Sequence, residues 1–139
     1  MEYRRFGTKY VVRLDRGEEI VSSLTAFCQQ HNIQLGAITG IGAVDKATIG
    51  LFEPATKEYH AQELTGDMEI TCLVGNVTTK EGEVYLHLHA TLAGNGLQAQ
   101  GGHLNSAVIS ATGEIIIDVI DGRVGRKFDK QVGLNLFDF

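Results

Sequence analysis

Apolar residues recur along this chain with two different periods. Between Glu18 and His31 they fall at Ile20, Val21, Leu24, Phe27 and Cys28. That i, i+1, i+4, i+7, i+8 spacing lays a single stripe along a helix, with Glu18, Ser22, Gln29 and Gln30 opposite it. Asp15, three residues before Glu18, predicts a capping box, and Asn32 suits the left-handed residue that ends a helix. His31 then sits at the helix C-terminus, where a partly protonated imidazole is favourable, and its role reads as structural.

Elsewhere the period is two. Lys9–Leu14, Ile33–Val44, Lys46–Phe52, Glu58–Leu64, Glu69–Thr79, Glu83–Leu92, Asn105–Ser110 and Glu114–Ile120 read as strands, with turns at Pro54 and Gly66. Gly82, Gly94, Gly96, Gly113 and Gly122 punctuate them. Many short strands and one helix predict an α+β fold, a mainly antiparallel sheet with one long amphipathic helix laid across a face. Residues 1–139 are expected to form a single domain. The tail from Gly133 to Phe139 carries Leu134, Leu136, Phe137 and Phe139, which suits an edge strand or docking on a neighbouring subunit.

Composition narrows the function classes. An apolar fraction of 43% and a charged fraction of 21% are ordinary for a globular protein. There is no apolar run long enough to span a membrane and no apolar region behind Arg4 and Arg5, so the expected location is the cytoplasm. The net charge of -5 argues against nonspecific nucleic-acid binding, which needs a positive surface. The local basic run from Gly122 to Lys127, flanked by Asp121 and Asp129, reads as a hairpin with solvated charges. Cys28, on the helical stripe, and Cys72, between Ile70 and Val74, are expected to be free buried thiols.

The candidate chemistry lies in three histidines. In Leu86-His87-Leu88-His89-Ala90 the two imidazoles share one strand face while Leu86, Leu88 and Ala90 take the other. Gly101-Gly102-His103 supplies a third ring, the glycines letting the backbone fold tightly and aim it. Three imidazoles suit zinc by default, or copper, nickel or iron, and leave a coordination position open. Water held there by zinc would be a hydrolytic nucleophile. By strand position Glu69, Glu114 and Asp118 are the candidate acid–base partners, and no catalytic residue is assigned. His60 has no such company. Thr39-Gly40-Ile41-Gly42 runs into a strand rather than a helix, so its glycines mark a bulge or close packing and not a phosphate loop. No serine lies in a nucleophile elbow.

Four runs in order carry a family resemblance: Gly40-Ile41-Gly42-Ala43-Val44, Leu73-Val74-Gly75-Asn76-Val77, Leu86-His87-Leu88-His89-Ala90 and Gly101-Gly102-His103-Leu104. From about Lys9 to Leu136 the chain resembles the plant and prokaryote conserved (PPC) domain family, in its stand-alone prokaryotic form. The resemblance implies a homotrimer in which His87, His89 and His103 ligate a metal, commonly zinc. Plant members resemble this domain but carry AT-hook segments. Here the only proline is Pro54, so the hook's Arg-Gly-Arg-Pro core is absent. The plant partner-contact motif Gly-Arg-Phe-Glu-Ile-Leu corresponds to Gly66-Asp67-Met68-Glu69-Ile70-Thr71, with Asp67 in the arginine position.

The expected function is a homotrimeric, metal-binding regulatory module associating with a small molecule or a protein. The alternative is a small zinc-dependent hydrolase or lyase working in a cleft between subunits. DNA association, the third reading, is disfavoured by the charge.

Overall fold

A computed structural model describing residues 1–139 contains eight strands and one helix, the strands at residues 2–6 and 125–129 lying outside the runs of alternation. The order is β1 (Glu2–Phe6), β2 (Lys9–Asp15), α1 (Ile20–Gln30), β3 (Gly36–Glu53), β4 (Glu58–Lys80), β5 (Glu83–Ala93), β6 (Ala99–Val119), β7 (Gly125–Asp129) and β8 (Leu134–Asp138). β3 pairs with β4 and with β6, β4 with β5, and β5 with β6, every pair antiparallel. Four strands therefore close on themselves in a ring. The β1–β2 hairpin extends the sheet beyond β6, and β7 and β8 extend it beyond β4, β7 through a single parallel bridge from Thr79 to Gly125.

Along one edge, β6 pairs with β5 at residues 99–103 and with β2 at residues 112–118. The segment leading into α1 fills the gap between them. Gly17 donates to the Ile109 carbonyl, Ile109 donates to the Glu18 carbonyl, and the Glu19 carboxylate accepts from the Ala107 amide. The same carboxylate caps α1 by accepting from the Val21 and Ser22 amides. Ile20, Leu24, Phe27 and Cys28 on the inner side of α1 join a continuous core of 25 buried residues that includes Ile38, Leu73, Leu88 and Ile109. Each such aliphatic side chain contributes about 1.5–3 kcal/mol on burial.

The α+β expectation of a long helix across a sheet face is corrected here. The protein is predominantly sheet, and α1 has only 11 residues. Glu18 stays outside the helix because its carboxylate takes the Asp15 amide and the N-terminal ammonium, leaving Glu19 as the cap. At the other end His31 caps and Asn32 is left-handed, at φ 52°, as expected.

The strands are also longer and fewer between the helix and residue 120 than the glycine punctuation suggests. Gly66, at φ 100°, bends β4 without ending it, so two expected strands are one of 23 residues. Register shifts at Gly40/Gly42 and Val44/Lys46 likewise let β3 run through. Glycine here makes bulges inside strands, not turns between them. A further bulge between Ile70 and Cys72 in β4 reverses the alternation, turning Leu73 inward and Cys72 and Val74 outward. Cys28 is buried as expected, whereas Cys72 is exposed.

Candidate metal centre

The β4 bulge fixes which side chains share the outer face of the β4–β5 pair. Beyond it, Leu73, Gly75 and Val77 face Ala90, Leu88 and Leu86 on the inside. Val74, Asn76 and Thr78 face His89, His87 and Tyr85 on the outside. His103 on β6 is the cross-strand partner of His89, and on its other side pairs with Gly50 of β3. All three expected histidines therefore meet on one outer patch, His89 and His103 held by ladders on both sides of their strands and His87 by β4 alone. Gly101 and Gly102, expected to let the backbone fold tightly, lie instead within β6. A Cβ on Gly102 would stand 2.6 Å from the Gly50 carbonyl oxygen, so the missing side chain lets β3 approach β6 beside His103.

One donor atom from each of the three rings lies within 4.8 Å of the others. His87 Nε2 and His89 Nε2 stand 3.2 Å apart. Two nitrogens bound to one tetrahedral zinc at about 2.0–2.1 Å would be separated by roughly 3.3 Å. The donor set thus fits a metal ion in both chemistry and spacing. Burial pushes the His87 imidazole down to about 4, the His103, Arg126 and His89 charges adding to the effect. Burial, with His89, also lowers His103. Both rings are therefore neutral near pH 7, the form that ligates a metal.

The surroundings are aromatic and amide-rich. Tyr59 packs edge-on to His103, with ring centroids 6.1 Å apart, and its hydroxyl donates to Asn105 Oδ1 at 2.5 Å. The expected acid–base partners do not join the cluster. Asp118 is paired with Lys9 at the β2–β6 end, while Glu69 and Glu114 are exposed on other parts of the sheet. His60 instead lies with Glu53 and Glu58 in a second, fully exposed group at the tip of β3 and β4.

Sequence reasoning missed Arg126. The basic run was expected to be a solvated hairpin, and β7–β8 is a hairpin, but the Arg126 guanidinium turns back onto the outer ladder. Its Cζ lies 4.9 Å from the Tyr85 ring centroid and 4.6 Å from that of Phe137. Alternation gives no signal for it: Phe137, the cross-strand partner of Arg126, covers the guanidinium, while Leu134 and Leu136 fall at the other set of alternating positions on β8.

A closed strand ring with three imidazoles on its outer wall defines a β-rich protein equipped to hold a metal ion. The chain belongs to the family of the Plants and Prokaryotes Conserved (PCC) domain, whose model matches residues 1–121. It is similar to a proposed DNA-binding protein of Bacteroides thetaiotaomicron, at 38% identity and a TM-score of 0.97, over 99% of this chain and 96% of that one. A metal-containing protein of Archaeoglobus fulgidus is 34% identical with a TM-score of 0.88, over 99% and 97% of the two chains. A plant- and prokaryote-conserved (PPC) protein of Pyrococcus horikoshii is 30% identical with a TM-score of 0.87, over 99% and 94%. Among curated proteins, the bifunctional protein GlmU of a Synechococcus strain is 29% identical over 127 residues; these span 89% of this chain but 19% of that protein's length. No helix is long and apolar enough to cross a membrane.

Proposed function

We propose that this protein is a metal-binding module in which His87, His89 and His103 ligate zinc, and that it acts as a homotrimer by associating with a small ligand or a partner protein. The observation that carries this reading is the 3.2 Å separation of His87 Nε2 and His89 Nε2, with a His103 nitrogen completing the set. Bound there, the ion would supply a Lewis-acidic position open to a ligand. The metal-containing relative from Archaeoglobus fulgidus supports the same reading. Assembly is supported by the large apolar side chains left exposed, among them Tyr59 and Val74 beside the cluster and Phe128 and Phe137 on the C-terminal hairpin. A cytoplasmic setting suits the exposed free Cys72 thiol.

Association is favoured over hydrolysis because no carboxylate stands with the cluster to move a proton. DNA association is supported by the description of the Bacteroides relative and opposed by the net charge of -5. The test is metal content by plasma mass spectrometry on untagged protein, wild type beside His103→Ala, with mass from light scattering. About one zinc per chain in a trimer, lost in the variant, is expected. Absence of metal from the wild type refutes the reading.

A further inference from the structure

Arg126 holds a positive charge that no group of the protein neutralises. Its Nε donates to Thr78 Oγ1 at 2.8 Å, one Nη to the Asn135 carbonyl at 2.9 Å and the other Nη to Asn76 Oδ1 at 2.8 Å. All three acceptors are neutral, and no carboxylate pairs with it. Acids are not scarce: the chain has 17 of them against 12 lysines and arginines. The guanidinium is half-buried against Tyr85 and Phe137, so its hydration is reduced as well. Of its five N–H groups three are used, and two remain to donate.

The position of this charge matters more than its burial. Asn76, which holds one Nη, is the cross-strand partner of His87. Tyr85, which stacks on the guanidinium, lies two residues before His87 on the same strand face. Opposed residues of an antiparallel pair have Cβ atoms about 4.5–5.5 Å apart. The guanidinium and the His87 ring thus flank a single residue on one outer ladder. A divalent ion on three neutral imidazoles would place two further positive charges beside Arg126. That is a concentrated positive site on a protein whose net charge is -5.

We propose that Arg126 and the histidine cluster form one binding site for a small oxyanion, a carboxylate or a phosphate group. One oxygen faces the ion's open position and another accepts from the free guanidinium N–H groups. The planar fork of arginine suits such an anion and fixes its orientation. Asn76 and the two aromatic rings act as positioning residues that hold the fork. This proposal rests on the metal-centre reading and names the class of ligand for that centre.

The test is calorimetric titration of the zinc-loaded full chain with inorganic phosphate and, separately, with succinate. Wild type is compared with Arg126→Gln and Arg126→Lys after the zinc content and circular dichroism of each have been measured. Wild type is expected to bind at least one of the anions, and the two titrations tell phosphate from carboxylate. Arg126→Gln should weaken that binding at least tenfold with zinc content unchanged, and Arg126→Lys, which keeps the charge, should fall between. Zinc uptake with no anion binding by the wild type overturns this proposal alone. So does unchanged binding by Arg126→Gln, or equal loss in both variants with a melted hairpin, which marks the arginine as structural only. A wild type that takes up no zinc overturns the metal-centre reading and this proposal together.

Discussion

Gly75 lies on the inner side of β4, and adding one methyl group there tests how closely fold and site depend on each other. A Cβ at Gly75 would stand 2.0 Å from the His87 carbonyl oxygen and 2.8 Å from Leu88 Cδ2. Ordinary contact between carbon and oxygen begins near 3.4 Å, so β4 and β5 must part by more than about 1 Å or twist apart. Leu88 can shift its side chain; the His87 carbonyl is backbone and takes the residue with it. Overpacking costs about 1–3 kcal/mol, and one weakened ladder hydrogen bond adds about 1 kcal/mol. Gly75→Ala is therefore expected to destabilise the protein by about 3 kcal/mol, a fall in Tm of about 10 °C at this size. Because His87 moves with its carbonyl, zinc affinity should fall at least tenfold. Guanidinium melts of the metal-free protein and a competitive titration with a zinc indicator read the two effects. Gly94→Ala is the control: its Cβ would meet Met68 Cγ at 3.5 Å, an ordinary contact, and neither quantity should change. A Gly75→Ala protein with wild-type midpoint and wild-type zinc affinity would refute the claim that close strand approach holds His87 in place.

Three further outcomes follow from the same structure. In the metal-free protein His87 titrates near 4 when folded against about 6.5 when unfolded, so between these pH values only the unfolded chain takes up the proton. Stability should be full above pH 6.5 and fall as the pH drops toward 4; the full linkage is about 3 kcal/mol, and solvent screening at a half-buried ring reduces it to about 1–2 kcal/mol. Denaturant midpoints across that range check it, and a slope unchanged in His87→Gln would count against His87 as its source. Cys72 is exposed, while burial pushes the Cys28 thiol up to about 12, so a thiol reagent should label one site per chain in the native protein and two after unfolding. Glu19→Ala strips acceptors from the Val21, Ser22 and Ala107 amides and should cost about 2 kcal/mol by thermal melting, more than the same change at the exposed Glu63.

The parts of this molecule legible in its sequence are those set by alternation within a few residues. Leu88 and Ala90 face inward and His87 and His89 outward because a strand has no other choice. Of the five residues the helical spacing picks out, Ile20, Leu24, Phe27 and Cys28 are buried and Val21 is partly buried. What alternation does not encode is where it is interrupted. The bulge at Ile70–Cys72 depends on β5 alongside and exchanges the faces of Cys72 and Leu73. Gly66 and Gly113 resemble turn residues in sequence, yet each lies inside a long strand. Arg126 was hidden for a different reason. Its acceptors Thr78, Asn76 and the Asn135 carbonyl come from β4 and β8, so its burial is a property of tertiary pairing alone.

All three candidate ligands lie within the β5–β6 hairpin, whose strands meet through the short Gly94–Gln98 connection. A loop this short closes at little entropic cost, so an ion can gather the three rings before the rest of the strand ring has formed. On the metal-centre reading, the unfolded chain then keeps a share of the affinity, and loading stabilises the protein by less than native affinity alone would give. The ion would also act early in folding: zinc added before refolding should speed formation of this hairpin, the step that brings β5 and β6 together to close the ring.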